Sequence, residues 1–237
     1  MRIVAFIAHP DYTELFFGGT VIKHAMRGDE VYIVTLSPGE RGHPAIPPNK
    51  LAKIRQKEMN EAAKIEGIKE VRILNFKDTE IFNTTELRLT LISMIRELKP
   101  DIVITHWPKD AHPDLRETDQ AVIDACTYAV VGGIKTKHPP HAVRKVYTFG
   151  VPAGSVEFHP DIFVDISDVI EKKVAAAKCH KTMIEAFYNG DADKWTEGIY
   201  IENAFWGKES RVKYAEAFKE VNVAMYLGRS ALNYLPS

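Results

Sequence analysis

Two identical tripeptides, His9-Pro10-Asp11 and His112-Pro113-Asp114, hold the side chains of this chain with the widest chemical reach. An imidazole and a carboxylate two residues apart in a turn can ligate a divalent metal or move protons beside one. One such tripeptide alone is weak evidence, because an Asp in that position also caps a following helix through its backbone amides. Its repetition changes the balance, since each copy follows an apolar run. Asp78 follows a third apolar run, and His106 ends the run that precedes the second tripeptide. Glu14, Asp110 and Asp114 are further carboxylates within the same clusters. The bland reading of His106 is an imidazole hydrogen-bonded in a pocket wall, and Glu14 reads as a first-turn helix residue.

These residues need elements that bring them together. Residues 3–8 are uniformly apolar, the pattern of a strand buried on both faces. Apolar positions then recur at helical spacing from Glu14 to Arg27, with Gly28-Asp29 as a stop. The alternation continues with strands over 31–36, 71–76 and 102–105, and helices over 51–65, 85–98 and 117–128. Strands near 145–149 and 162–165 and one long helix over 168–188 follow. Segments 132–142 and 189–210 read as long loops that wall a pocket. The fold class is α/β, a doubly wound, mostly parallel sheet flanked by helices and Rossmann-like, in a single domain over 1–237. In such a sheet ligands bind beyond the carboxyl ends of the strands, so the His and Asp clusters should converge on one edge.

Composition narrows the partners. Lys and Arg total 31 against 32 Asp and Glu, so no overall field would hold the chain on a nucleic acid or an anionic membrane. Cys126 and Cys179 form neither a disulfide framework nor a cysteine zinc site, which fits a reducing cytoplasm. No segment has the length of a membrane span. Gly18-Gly19 is not a dinucleotide fingerprint and is better explained by close helix packing, so no nucleotide cofactor is assigned. His24, His43, His138, His141, His159 and His180 lack ligand-like spacing and read as surface or loop residues.

The stretch Ala8-His9-Pro10-Asp11-Tyr12-Thr13-Glu14-Leu15 followed by Gly18-Gly19-Thr20 resembles the first signature of the LmbE/PIG-L family of zinc-dependent amidases and N-deacetylases. Pro108-Lys109-Asp110-Ala111-His112-Pro113-Asp114 resembles the second, and similarities at Gly39-Glu40, Arg55 with Glu58, Asp78 and Tyr214 to Phe218 span the chain. The resemblance implies that Asp11 is the general base and that His112 stabilises the oxyanion and protonates the leaving amine. It implies a substrate-anchoring role for Arg55, and contact with sugar hydroxyls or orientation of that arginine for Asp78. It places zinc on His9 and on positions 12 and 115, which hold Tyr12 and Leu115. Leucine cannot ligate, and a phenol must first lose a proton of pKa about 10. The expectation is an amide hydrolase that deacetylates an amino sugar or related conjugate at an atypical zinc site, homo-oligomeric as the resemblance implies. The alternative is a non-catalytic, metal-free member that binds a small polar ligand in the retained pocket.

Overall fold

A computed structural model describes residues 1–152 and 154–223. The stretch 224–237, included in the expected single domain, lies outside the described residues. Strand β1 (Arg2–Ile7) is buried on both faces beyond its first residue. A π-helical turn, Thr13–Phe17, and helix α1 (Gly18–Met26) lead to β2 (Glu30–Thr35). Helix α2 (Pro48–Glu66) has proline in its first turn and closes on Gly67 at φ +81°, a left-handed terminus that glycine adopts without strain. Then come β3 (Glu70–Ile73), α3 (Thr85–Leu98), β4 (Ile102–His106), α4 (Pro113–Tyr128), β5 (Lys145–Phe149) and β6 (Ile162–Asp165). Helices α5 (Ile170–Ala177), α6 (Lys181–Tyr188) and α7 (Ala192–Ser210) and strand β7 (Ala215–Val221) complete the order.

The seven strands of the described residues join one sheet in the order β3-β2-β1-β4-β5-β7-β6. Strands β1 to β5 pair in parallel, while β7 runs antiparallel to both β5 and β6. The chain moves outward one way from β1 through β2 and β3, then resumes on the other side with β4. The switch in strand order therefore falls between β1 and β4, where a crevice opens at their carboxyl ends. Apolar side chains of α3 and α4 cover one face of the sheet around Phe6, Val34 and Val103. Ile3, Ile7, Phe17 and Met59 build the core of the other face.

Three expectations need correction. Segment 189–210 is not a loop but carries α7, whose start is capped by the Asp191 carboxylate accepting from the amides of Asp193 and Lys194. Its glycines and scattered polar groups hide the periodicity on which a sequence reading depends. The single helix over 168–188 is two helices. His180 turns fully inside to meet Glu14 at 3.1 Å, and Glu58 takes the Thr182 amide at 2.9 Å and its hydroxyl at 2.6 Å. A tertiary carboxylate thus replaces the helical acceptor. The third strand ends at Ile73 rather than at residue 76. Segment 132–142 has no helix or strand, and the buried Arg96 holds the loops there by donating to the carbonyls of Ala129, Val131 and Ile134.

The Gly18-Gly19 pair is a packing feature. A Cβ at Gly18 would lie 2.6 Å from Glu66 Oε1, and one at Gly19 would lie 2.6 Å from Ile166 Cγ2. The amides of Gly19 and Thr20 both donate to the Glu216 carboxylate, at 2.8 and 2.7 Å. Glu216 is in turn paired with the buried Lys173 at 2.7 Å.

Candidate active site

His9, Asp11, Arg55, Asp78 and His112 line one cavity of about 510 Å³ at the switch edge. Each arrives from a different piece of backbone: the end of β1, the turn after it, α2, the loop after β3, and the cap of α4.

Asp11 adopts φ +82°, a region that costs most non-glycine residues strain and that Asp tolerates better than most. Its carbonyl accepts from Leu15 at 3.1 Å, which begins the π-helical turn. The carboxylate is buried and accepts no hydrogen bond among the described residues. Burial pushes its pKa up to about 6, against the pull of His180 and Arg55. A carboxyl group poised there can accept a proton near neutrality.

His112 caps α4. Its Nδ1 accepts from the Asp114 amide at 3.2 Å, so in the neutral ring the proton sits on Nε2. That Nε2 has no partner among the described residues. Burial, and then the nearby charge of His9, holds its pKa below the usual histidine value.

Arg55 meets no carboxylate within ion-pair distance among the described residues. Its guanidinium donates to the carbonyls of Gly39 and Gly42, at 2.6 and 3.0 Å, and Nε has no partner. A Cβ at Gly42 would stand 2.7 Å from Arg55 Nη2 and would press on the guanidinium. An ion pair between Arg55 and Asp78 is therefore not what holds either residue.

His9 Nε2 lies 2.9 Å from Asp114 Oδ2 and 3.0 Å from Asp78 Oδ1. Burial disfavours the charged imidazole, but hydrogen bonds to Asp114 and Asp78 outweigh it and raise His9 to about 9. Backbone donors orient both carboxylates: Thr79 to Asp114 Oδ2 at 2.8 Å, and Arg41 to Asp78 Oδ2 at 3.1 Å. One ligand atom from each of His9, Asp78 and Asp114 lies within 4.8 Å of the others. One nitrogen and two carboxylate oxygens form a donor set that zinc accepts.

Tyr12 and Leu115 offer nothing comparable. The Tyr12 ring packs 5.0 Å from that of His106 and 5.6 Å from that of Phe16. Burial, reinforced by the charge of Asp11, drives its phenol above its ordinary pKa, away from the phenolate that ligation needs. Leu115 is 1% exposed and sits in the core beneath α3 and α4.

His106 stands apart from the His-Asp-Asp group. Its Nε2 accepts from the Ala8 amide at 2.9 Å, and burial, with the charges of His9 and His112, keeps the ring neutral. Glu14 pairs with His180 behind Asp11, and His180 is wholly buried rather than a surface or loop residue. Sequence reasoning held Asp114 only as one of several further carboxylates and overlooked Met183 and Phe187, which line the cavity together with Trp195 of the segment expected to wall a pocket. The repeated tripeptide held the signal for Asp114; nothing in the sequence marked Met183. Segment 132–142 lines neither this cavity nor the larger one beside it.

Fold and site together define an α/β protein with a small-molecule cavity at a topological switch point, furnished for proton transfer. Residues 4–126, more than half of the chain, match the PIG-L family described as GlcNAc-PI de-N-acetylase, and the chain belongs to this family. It is 29% identical over 231 residues to diacetylchitobiose deacetylase of Thermococcus kodakarensis, covering 93% of this chain and 83% of that protein. The structure of N,N'-diacetylchitobiose deacetylase from Pyrococcus horikoshii in complex with its inhibitor MPG superposes with a TM-score of 0.84 at 26% identity, over 95% of this chain and 85% of that one. A 4-oxalmesaconate hydratase of Pseudomonas putida is 29% identical over 174 residues, 68% of this chain and 66% of that protein.

Proposed function

We propose that the protein is an amide hydrolase that removes the acetyl group from an N-acetylated amino sugar or a related conjugate. The observation that carries this reading is the convergence of Asp11, His112 and Arg55 on one cavity, in a family fold whose relatives include diacetylchitobiose deacetylases. Asp11 takes the proton of the attacking water. His112, with its proton on Nε2, donates a hydrogen bond to the carbonyl oxygen as charge develops there, and the proton that Asp11 has taken from water passes to the departing amine. Arg55, unpaired and anchored on two backbone carbonyls, holds a polar group of the substrate.

In this reading the metal site is atypical, with zinc held by His9, Asp78 and Asp114 in place of a set that includes positions 12 and 115. Zinc when bound supplies Lewis acidity to the amide carbonyl and lowers the pKa of nearby water. Asp78 therefore belongs with His9 rather than with the substrate. A cytoplasmic location and assembly as a homo-oligomer belong to the same proposal.

The test is acetate release from N-acetylglucosamine and diacetylchitobiose by protein purified without chelator, with metal content measured on the same sample. Release that follows zinc content supports the proposal; none from zinc-loaded, folded protein overturns it. Tyr12 and Leu115 favour one second reading, a metal-free binder of a small polar ligand. It predicts no stoichiometric metal and no turnover, with saturable binding of N-acetylglucosamine.

A further inference from the structure

Beside the site cavity lies a second one of about 640 Å³. Leu15, Phe16, Val151, Tyr188 and Trp195 belong to the walls of both, so the second cavity adjoins the first along this shared lining. The far wall of the second cavity is aromatic. The Trp206 ring lies 4.7 Å from that of Phe205 and 6.1 Å from that of Phe158, edge on in both cases.

Polar partners are scarce there. Glu202 is its only acidic side chain among the described residues, and burial pushes that carboxyl up to about 8, so it stands uncharged at neutral pH. The Ser155 hydroxyl is already engaged, donating to Asp110 at 2.9 Å and accepting from the Val151 amide at 2.8 Å. The Trp195 indole N–H is buried without a partner. A second sugar would lose water from several hydroxyls with few groups to replace it, a net cost. An aryl or alkyl group loses nothing of that kind and gains from burial.

We propose that this second cavity is a subsite for an apolar group, aryl or alkyl, attached to the amide-bearing part of the substrate. The proposal rests on the amide hydrolase reading and narrows it: the preferred substrate is an N-acetylated amino sugar with an apolar aglycone rather than a free sugar.

Gly198 supplies the test. It lies inside α7, lines the second cavity, and a Cβ there would meet nothing within 4 Å. Gly198→Phe therefore adds bulk at the lining of the subsite from a position where helix propensity improves. The measurement is kcat/KM for acetate release from octyl N-acetyl-β-glucosaminide, below its micellar concentration, and from N-acetylglucosamine. The unaltered protein should favour the octyl glycoside by about tenfold or more. Gly198→Phe should lose that preference while its rate on N-acetylglucosamine stays within about twofold. Equal values for the two substrates, or a preference that survives Gly198→Phe, would overturn the subsite.

If neither amide is hydrolysed, the hydrolase reading fails and binding decides the subsite. Saturable quenching of tryptophan fluorescence by the octyl glycoside, weakened about tenfold or more in Gly198→Phe, supports it; unchanged quenching overturns it. Exposed Phe187, Ile201 and Phe205 stand near the openings. A Gly198→Phe protein that sediments as a smaller assembly yet keeps its substrate preference would assign the cavity to contact between copies, and overturn the proposal.

Discussion

His9-Pro10-Asp11 and His112-Pro113-Asp114 have the same composition and opposite assignments. In the first, both side chains line the cavity, but the imidazole is paired with Asp78 and Asp114 while the carboxylate accepts no hydrogen bond among the described residues. In the second, the imidazole lines the cavity and the carboxylate turns inward to His9. Backbone conformation makes the exchange. Asp11 sits at φ +82° ahead of the π-helical turn, whereas His112 is extended at the cap of α4 and Asp114 falls in that helix's first turn. Residue type sets what chemistry is available; the dihedral at each position decides which side chain performs it.

Neutralising the two aspartates separately should separate their roles most strongly. In an active protein Asp11→Asn should lower kcat by about a hundredfold or more, since general base catalysis is worth on the order of 10² to 10⁴. Zinc content should barely move, because Asp11 is not in the His-Asp-Asp group. Melting temperature at neutral pH should not fall, because the buried carboxylate accepts no hydrogen bond among the described residues and its raised pKa works against folding there. Steady-state kinetics beside metal analysis will show it, and unchanged turnover would remove Asp11 from the mechanism.

Positions 12 and 115 test the same contrast from the metal side. Tyr12→Asp with Leu115→His should raise zinc affinity by on the order of a hundredfold if the backbone retains the geometry that the family resemblance implies. Leu115→His alone should destabilise by about 1 to 3 kcal/mol, because it places an unpaired imidazole at a core position. Competition against a chromophoric chelator reads the affinity. A double variant that folds without tighter binding would mean that the turns have drifted apart.

The sequence made the sheet and its site edge legible, and the interior less so. Apolar runs at 3–8, 31–36 and 102–105 announced parallel strands because burial on both faces leaves no polar alternation. His9, Asp11, Asp78 and His112 were visible because each follows such a run. Helix α7 was not, since its stability comes from the Asp191 cap and from aromatic packing rather than a clean stripe. Nor was the role of Asp114, which depends on Thr79 and Ile81 presenting their amides from another loop. The inward turn of His180 was hidden for the same reason: its partner Glu14 is distant in sequence and close only in the fold.

Asp114→Asn should act through structure and metal together. Its carboxylate accepts from His9 and from the amides of Thr79 and Ile81; an amide nitrogen in place of one oxygen can accept from none of them. The expected cost is about 1 to 3 kcal/mol of stability and roughly ten- to a hundredfold in zinc affinity. Denaturant unfolding and zinc titration measure the two. If only turnover fell, Asp114 would act at the substrate like Asp11, and the exchange of roles would fail.

Asp119, farther along α4, is the control that separates a partnered buried carboxylate from an unpartnered one. It is 3% exposed, and its Oδ1 has no hydrogen bond. Burial, helped by the charge of Asp124, raises it to about 8. A carboxyl group raised in the folded state favours folding only while protonated. Its contribution is complete below the unfolded value near 3.8 and is lost as pH rises from there through 8. Asp119→Asn removes that loss, so stability should match the unaltered protein at pH 4 and exceed it at pH 9, by about 1 to 2 kcal/mol. Thermal melts at the two pH values check the sign. Equal loss at both would mean that the Asp119 side chain is held by a bond its amide cannot make, and that it belongs with Asp114 rather than against it.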